Sequence, residues 1–210
     1  MVSGIFNKFL EEVIRPCATC GETKAMPRFS MRCDPCDAAE TAAREPEEQA
    51  RNIAEQRVRW GRQGIPKRFL GFELQEKYAE AVSRSAIIYG EVGTGKSCLG
   101  AQIMKKTRGR FISAIEMLDI IQENNNKIWD FKDMSSLCID DFTKINLTGH
   151  RVEKLFDIFD DRYSNDRHTI LATDTRPSEI KDKFPGMTGE AIVSRIGEWL
   201  LKIHLEEKFR

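Results

Sequence analysis

The chain has 210 residues, and its 33 Lys and Arg residues balance its 33 Asp and Glu residues to a formal net charge of +0 at pH 7. This length allows one medium domain with a small appendage and excludes two full-sized enzyme domains. The balanced charge excludes the strongly basic surface of an autonomous nucleic-acid binder, so any DNA contact is expected to be local or shared among assembled subunits.

The sequence carries no recognisable membrane or export segment. No apolar run approaches the ~20 residues that cross a bilayer, and the N-terminal stretch MVSGIFNKFLEEVIRP contains acidic residues where a signal peptide has basic ones. We therefore expect a cytoplasmic protein with no membrane partner. Its six cysteines are then expected to stay reduced, so cysteine pairs are interpreted as metal ligands before disulfides.

The first third of the chain predicts two helices around an irregular segment. Residues 4–14, GIFNKFLEEVI, place apolar side chains at helical spacing and predict a short amphipathic helix, which would either contact a partner or pack on the rest of the protein. Residues 17–36 contain glycine and proline that interrupt any long element. Residues 37–66 are charged and alanine-rich, and they predict a helical connector.

The stretch CATCGETKAMPRFSMRCDPC contains two C-x-x-C pairs, in which Cys17 and Cys20 are separated by twelve residues from Cys33 and Cys36. Two such pairs can meet around one ion, which predicts a closed four-thiolate Zn²⁺ site. An iron–sulfur cluster is the alternative metal centre. A redox dithiol would need a thioredoxin-like strand–helix–strand context, which is missing.

A ribbon of this size cannot build its own hydrophobic core, so we expect the metal to supply its folding energy. Its charges are mixed, with Lys24, Arg28 and Arg32 set against Glu22 and Asp34. Such a mixture is unlike a phosphate-binding stripe, which favours protein docking over DNA binding as the role of the ribbon.

After residue 65, short apolar runs alternate with amphipathic segments, which predicts an α/β fold with a five-stranded parallel sheet. The predicted strands span residues 85–90, 110–114, 136–142, 169–173 and 199–205. The predicted helices span residues 96–108, 115–124, 151–163 and 188–197.

The stretch GEVGTGKS is a complete G-x-x-x-x-G-K-[ST] match that follows an apolar strand and opens a helix, as a P-loop requires. The predicted nucleotide-binding loop comprises Gly90, Glu91, Val92, Gly93, Thr94, Gly95, Lys96 and Ser97. Its glycines let backbone amides wrap a phosphate, Lys96 is expected to span the β- and γ-phosphates of ATP, and Ser97 is expected to ligate Mg²⁺. A chance glycine loop is disfavoured by the flanking strand and helix.

A P-loop also needs a carboxylate to hold the metal, and the stretch LCIDD supplies two after an uninterrupted apolar run. Asp140, at the carboxyl end of the predicted strand, is expected to reach the Mg²⁺ shell. Asp141 is then expected to polarise the attacking water. Two carboxylates in a solvated turn are the alternative, which the preceding apolar run disfavours.

No guanine-reading NKxD element and no LSGGQ-like signature is found, which leaves the AAA+ and RecA-like ATPases. Four segments, QGIPKRFLGFEL, CIDDF, LFDIFDDRYSNDRHTILATDTRP and IVSRIGEWLLKIHL, resemble in that order the AAA+ core of DnaC/DnaI-type replicative helicase loaders. IstB-type transposition ATPases are close relatives of that family. The resemblance covers about residues 62–205, and its discriminating segments are RYSNDRHTILATD and SRI.

The resemblance implies roles for three further residues. Asp174 occupies the sensor 1 position, where the family usually has asparagine, so it is either turned away or neutralised, or Thr173 acts instead. Arg195 occupies the position of the arginine finger that completes a neighbouring subunit's site, the alternative being a surface arginine. Arg162 would either line the subunit interface or pair with one of the two aspartates before it.

The resemblance also implies a function. The chain would be a slow ATPase, stimulated by assembly or by single-stranded DNA, that loads a hexameric replicative helicase onto DNA and self-associates through its ATP sites. Its parts would be an N-terminal helix and zinc ribbon over 1–40, a connector over 41–64 and an AAA+ domain without a C-terminal lid over 65–210.

The sequence leaves two alternative functions open, and it contains one segment that could contact DNA. The chain could instead be an IstB-like transposition helper, or a non-hydrolysing module that holds nucleotide for structure. Residues 124–134, NNNKIWDFKDM, could contact single-stranded DNA through Trp129 and Phe131, or form a turn whose aromatic residues cover the core.

Overall fold

The computed structural model describes residues 12–27, 30–144, 149–184 and 187–206. The chain forms two compact units, residues 1–56 and 57–210, and the boundary between them falls within one long helix. Within the described residues, no helix is both long and apolar enough to span a membrane. The predicted three-part division at residues 40 and 64 stays a prediction.

The first unit contains an antiparallel hairpin of strands β1 (Glu12–Pro16) and β2 (Thr23–Pro27). The helix predicted over residues 4–14 is therefore wrong at residues 12–14, and the rest of that prediction lies outside the described residues. Pairing across the hairpin explains the difference: Val13 lies opposite Met26, which is fully buried against the cysteines. The β-branched Val13 and Ile14 suit a strand at least as well as a helix.

The predicted connector helix is present as α1 (Asp34–Arg62), and it begins earlier than expected, among the cysteines. No residue of α1 is buried, and Pro46 lies within it. Acidic residues in its first turn and basic residues in its last turn complement the helix dipole.

The second unit is a parallel α/β sheet, as predicted. Its strands are β3 (Ala86–Gly90), β4 (Arg110–Ser113), β5 (Ser136–Asp140), β6 (His168–Thr173) and β7 (Leu201–Leu205). Its helices are α2 (Lys96–Thr107), α3 (Ala114–Glu123), α4 (Lys127–Asp133), α5 (Gly149–Ser164) and α6 (Met187–Trp199). The strand order is β4-β5-β6-β3-β7, with all neighbours parallel. Helix α4 was not predicted.

Both faces of the sheet are covered by helices, which is why its strands consist of continuous apolar runs. In β3, Ile87 packs with residues of α3, α4, α5 and α6, whereas the adjacent Ile88 packs with residues of α2. From β3, the chain continues to β4 at one edge of the sheet and later returns from β6, past β3, to β7 at the other edge. The carboxyl end of β3 is therefore a topological switch point. Ligands of open α/β sheets bind at such a point.

Candidate nucleotide and metal sites

The P-loop leaves the sheet at Gly90, the last residue of β3. Gly90 has a φ of +150°, and a Cβ there would lie 2.3 Å from the carbonyl oxygen of Leu205 in β7. Only glycine allows this close approach of two backbones. Gly95 has a φ of +98° and forms the N-cap of α2 without a side-chain cap. The first-turn amides of α2 are thus directed at an anion site.

Lys96, the first residue of α2, folds back over its own loop. Its Nζ donates to the carbonyl oxygens of Gly90 and Glu91, at 2.8 Å and 2.6 Å. Burial is the main cause that lowers the pKa of this ammonium, and the nearby carboxylates oppose the effect. An ammonium has three N–H donors, so one remains for a phosphate.

Ser97 and Asp140 join the P-loop to the neighbouring strand end. The Ser97 hydroxyl donates to Oδ1 of Asp140 over 3.0 Å, although the two residues are 43 positions apart. Burial raises the pKa of Asp140, and the hydrogen bond from Ser97 partly offsets that effect. A hydroxyl and a partly buried carboxylate are hard oxygen ligands that suit Mg²⁺, so these two residues fit the ion that was predicted for them.

Asp141 has a backbone φ of +52°, a left-handed conformation that is uncommon for residues other than glycine but that aspartate adopts more readily than most. Its carboxylate lies 2.8 Å from Nζ of Lys144, and the same Nζ is 3.7 Å from Asp174. Lys144 thus gives Asp174 a cationic partner that it shares with Asp141, and the sensor 1 role of Asp174 stays a prediction. Sequence reasoning missed Lys144, although its position three residues after Asp141, just past the end of the predicted strand, could have indicated an ion pair.

A chain of buried threonine hydroxyls lies close to these carboxylates. Oγ1 of Thr143 is 2.6 Å from that of Thr173 and 2.9 Å from that of Thr175. The Thr173 hydroxyl also accepts from the backbone amide of Thr175. Thr173 is thus engaged within the fold, whereas Asp174 is the side chain at this strand end that meets the lysines.

Arg195 lies on α6, and within the described part of the chain its polar and ring contacts are with α5 and α6. Its guanidinium lies 2.5 Å from Asp160 and donates to the carbonyl oxygen of Ala191. It also lies over the rings of Phe156 and Tyr163. These contacts do not bring Arg195 to the P-loop of its own chain.

Arg162 is fully buried, so it is not available at a subunit surface and neither alternative given for it holds. It donates to Oγ1 of Thr169 and to backbone carbonyls of Phe131, Met134 and His168, at 2.7 to 2.8 Å. Burial lowers the pKa of Arg162 to about 10. Its role in this fold is to satisfy carbonyl groups where α4 turns into β5.

The predicted DNA-contacting segment contains α4, and its two aromatic residues have different environments. Phe131 is buried in the core, so it cannot stack on bases. Trp129 is 57% exposed, and Nζ of Lys132 lies 4.7 Å from the centre of the Trp129 ring. The same Nζ forms an ion pair with Asp157 at 2.7 Å. Of the two aromatic residues, only Trp129 is accessible.

The four cysteines of the first unit converge. Their sulfur atoms all lie within 4.8 Å of one another, and those of Cys20 and Cys33 are 3.9 Å apart. Four thiolates held about 2.3 Å from one Zn²⁺ would have sulfurs separated by about 3.8 Å, so the cluster fits a single tetrahedral ion. Backbone amides, first that of Cys20 and then those of Cys33 and Thr19, lower the pKa of Cys17 to about 6, which favours the ligating thiolate.

The fold resembles solved AAA+ structures. The chain superposes on DnaI with a TM-score of 0.58 and 15% identity, over 67% of this chain and 94% of that one. It superposes on the DnaC helicase loader with a TM-score of 0.53 and 18% identity, over 75% and 90% of the two chains. It superposes on AMPPCP-bound DnaA from Aquifex aeolicus with a TM-score of 0.53 and 24% identity, over 69% of this chain and 52% of that one.

The match covers 52% of the DnaA chain, so this protein spans about half the length of that structure. No protein-family model matches the sequence, and no curated protein matches it either. The structure has a DnaC/DnaI-like AAA+ fold, with a cysteine cluster near its N-terminus.

Proposed function

We propose that this chain, which has a DnaC/DnaI-like AAA+ fold, loads a hexameric replicative DNA helicase onto DNA in an ATP-dependent manner. The proposal is supported by the likeness of the fold to DnaI and to the DnaC helicase loader. In this chain, the Ser97 hydroxyl of the P-loop also lies 3.0 Å from Oδ1 of Asp140. In this proposal the second unit binds and slowly hydrolyses ATP, and the cysteine cluster holds Zn²⁺ in a ribbon that docks the helicase.

The residues of the proposed ATP site have separable tasks. The first-turn amides of α2 and Lys96 hold the phosphates, and Ser97 and Asp140 hold Mg²⁺, which would supply positive charge against the β- and γ-phosphates. Asp141 orients the water that attacks the γ-phosphate. Its carboxylate lies 2.8 Å from Nζ of Lys144, which holds it at the end of β5.

Arg195 is the residue that makes the proposed site an intersubunit one. Its contacts lie on α5 and α6 and not at its own P-loop, which suits a cation that serves a neighbouring copy. Self-association through the ATP sites would bring Arg195 of one copy to the γ-phosphate bound by the next, where it stabilises the developing charge.

The experiment combines partner binding with turnover. The full chain is mixed with the hexameric replicative helicase of its host under ATP and under ADP, and complexes are separated by size-exclusion chromatography. ATP turnover is measured with and without single-stranded DNA. We expect a nucleotide-dependent complex and DNA-stimulated turnover, both lost in Lys96→Ala because the phosphate-binding cation is removed.

Each other outcome contradicts a defined part of the proposal. Absence of a helicase complex under both nucleotides contradicts loading, and binding to a transposase instead supports the transposition helper. Nucleotide binding without turnover, with or without DNA, supports the non-hydrolysing module. Full turnover by Lys96→Ala contradicts the assignment of the P-loop as the ATPase site.

A further inference from the structure

Five charged side chains meet at the edge of the sheet where β5 and β6 end. The carboxylates are those of Asp140, Asp141 and Asp174, and the cations are Lys96 and Lys144. The three carboxylates and Lys144 all lie close enough to Lys96 to affect its pKa. Among the carboxylates, Asp174 has the strongest effect. When all five are ionised, this edge therefore carries an excess of one negative charge before a polyanionic nucleotide binds.

Lys144 is held at this edge by its own turn. Its backbone amide donates to the carbonyl oxygen of Asp141 over 2.9 Å, and its ammonium lies between the carboxylates of Asp141 and Asp174. The hydrogen bond to Asp141 is the main cause that raises the pKa of Lys144, so it remains a cation. The side chain is 45% exposed, which leaves room for a third, anionic partner.

Asp174 would be unfavourable beside a γ-phosphate without this cation. The carboxylate and the terminal phosphate repel each other at short range, and the repulsion is greater for ATP than for ADP because ATP carries one more phosphoryl charge. Lys144 compensates the carboxylate on one side and can attract the phosphate on the other.

We propose that Lys144 is a positioning residue for the γ-phosphate and that, with Asp174, it sets how strongly the site prefers ATP to ADP. The pair places a carboxylate and a compensating lysine together at this strand end. This inference rests on the nucleotide site of the proposed function and adds to it a residue that acts on selectivity rather than on the chemistry of hydrolysis.

A double-mutant cycle tests the inference by binding, without turnover. Affinities of the full chain for fluorescent ATP and ADP are measured by anisotropy with Mg²⁺ for the unaltered protein, Lys144→Ala, Asp174→Asn and the double variant. We expect Lys144→Ala to weaken ATP binding about tenfold and ADP binding less than about threefold, because the uncompensated carboxylate repels the γ-phosphate most. Asp174→Asn should bind ATP as well as the unaltered protein or better, and the double variant should return to within about threefold of it.

Two controls separate charge from folding. Arg84→Ala removes the cation of another exposed ion pair, in which Arg84 lies 2.5 Å from Glu80. This pair precedes the amino end of β3, whereas the P-loop follows its carboxyl end, so both nucleotide affinities should stay unchanged. Lys144→Arg keeps the positive charge and should keep the preference for ATP. Melting temperatures without nucleotide identify any variant whose fold is damaged.

The inference is overturned if Lys144→Ala keeps the preference for ATP, or if the double variant binds ATP as weakly as Lys144→Ala alone. If Lys144→Ala does not fold, the near-isosteric Lys144→Met takes its place: loss of ATP preference in Lys144→Met with retention in Lys144→Arg supports the inference, and retention in Lys144→Met overturns it. If the unaltered chain binds neither nucleotide, the proposed function itself fails, which is a different result from binding without selectivity.

Discussion

At the residue scale, the candidate ATP site consists of side chains already held by partners. Lys96 is bonded to its own loop, Ser97 to Asp140, and Asp141 to Lys144. Arg195 is similarly held, by Asp160 on the neighbouring helix. A side chain that is held before the ligand arrives loses less conformational entropy on binding, so the site is partly preorganised.

Arg195 gives the sharpest prediction at this scale. Arg195→Ala should keep ATP binding but lower the turnover of the assembled protein by about 10³-fold, because the cation serves a neighbour's phosphate and not its own. Mixing Arg195→Ala with Lys96→Ala should restore part of the turnover, since one copy supplies an intact P-loop and the other an intact arginine. Steady-state ATPase assays of the separate and mixed proteins measure both effects. Unchanged turnover in Arg195→Ala would identify a surface arginine that pairs with Asp160.

His168 predicts a pH dependence of stability. Its Nε2 lies 2.9 Å from the carbonyl oxygen of Ala81 and its Nδ1 2.7 Å from Oγ of Ser136, and burial is the main cause that lowers its pKa. A lowered pKa in the folded state means that the unfolded chain binds the proton more tightly. This contribution to stability is therefore present above the ordinary histidine pKa and is lost as the pH falls through that value toward the folded pKa.

The measurement is the free energy of unfolding in urea at about pH 7.5 and about pH 5.5, where a single differential proton contributes at most about 1.4 kcal/mol per pH unit. We expect stability to decrease toward the lower pH and the decrease to be smaller in His168→Gln, which cannot titrate. His150→Gln, at an exposed position on α5, is the matched control. An identical pH dependence in the protein and in His168→Gln would exclude this histidine as the cause.

At the element scale, α4 illustrates how a short segment is positioned by residues far from it. Its buried apolar side chains, Ile128 and Phe131, join the core, and Arg162 of α5 binds the carbonyl groups at its C-terminal end. This arrangement orients the remaining face of α4 outward, with Trp129 under the ammonium of Lys132. An exposed indole beside a cation is a surface on which a base can stack.

We predict that α4 contributes to DNA binding through Trp129. Trp129→Ala should weaken binding of single-stranded DNA about fivefold to tenfold, because base stacking on an aromatic ring contributes roughly 1–3 kcal/mol. Trp129→Phe keeps a stacking surface and should bind more tightly than Trp129→Ala. Fluorescence anisotropy with a labelled oligonucleotide at two salt concentrations measures both, and equal affinities for the three proteins would assign Trp129 to packing alone.

At the scale of the whole molecule, the two units depend on different sources of stability. The second unit contains a sheet with a hydrophobic core on each face, whereas the buried residues in the described part of the first unit are Cys17, Met26 and Cys33. We expect a unit with so small a core to depend on the metal ion proposed for its cysteines, because ion binding would supply its folding free energy. Nucleotide binding and ribbon folding should therefore be separable.

We predict one Zn²⁺ per chain, released by a strong chelator or by the double variant Cys33→Ser with Cys36→Ser. Metal removal should abolish helicase binding while ATP affinity stays within about twofold, since the thiolates lie in one unit and the P-loop in the other. Elemental analysis gives the stoichiometry, and pull-down and anisotropy assays give the two binding functions. As a control, Cys98→Ser changes a cysteine outside the cluster and should retain the zinc. Iron in place of zinc, or full helicase binding without metal, would contradict this prediction.

The sequence by itself determined the features that depend on local pattern. The five strands and the helices other than α4 follow from apolar periodicity, and the P-loop and the two cysteine pairs follow from residue spacing, so their positions agree with the structure to within a few residues. These features are local because backbone geometry repeats along the chain, and a motif of eight residues contains its own turn.

Only the tertiary structure decided which side chains meet and which are buried. Residues 12–14, where periodicity predicted a helix, lie in a hairpin strand beside the cysteine cluster, and the folding of β5 and β6 side by side brought Lys144 to Asp174. Arg162 could not be distinguished in sequence from a surface arginine, since two of the carbonyl groups that it binds, those of Phe131 and Met134, are about 30 residues away. Burial and ion pairing depend on contacts between distant segments, and those contacts exist only after the chain has folded.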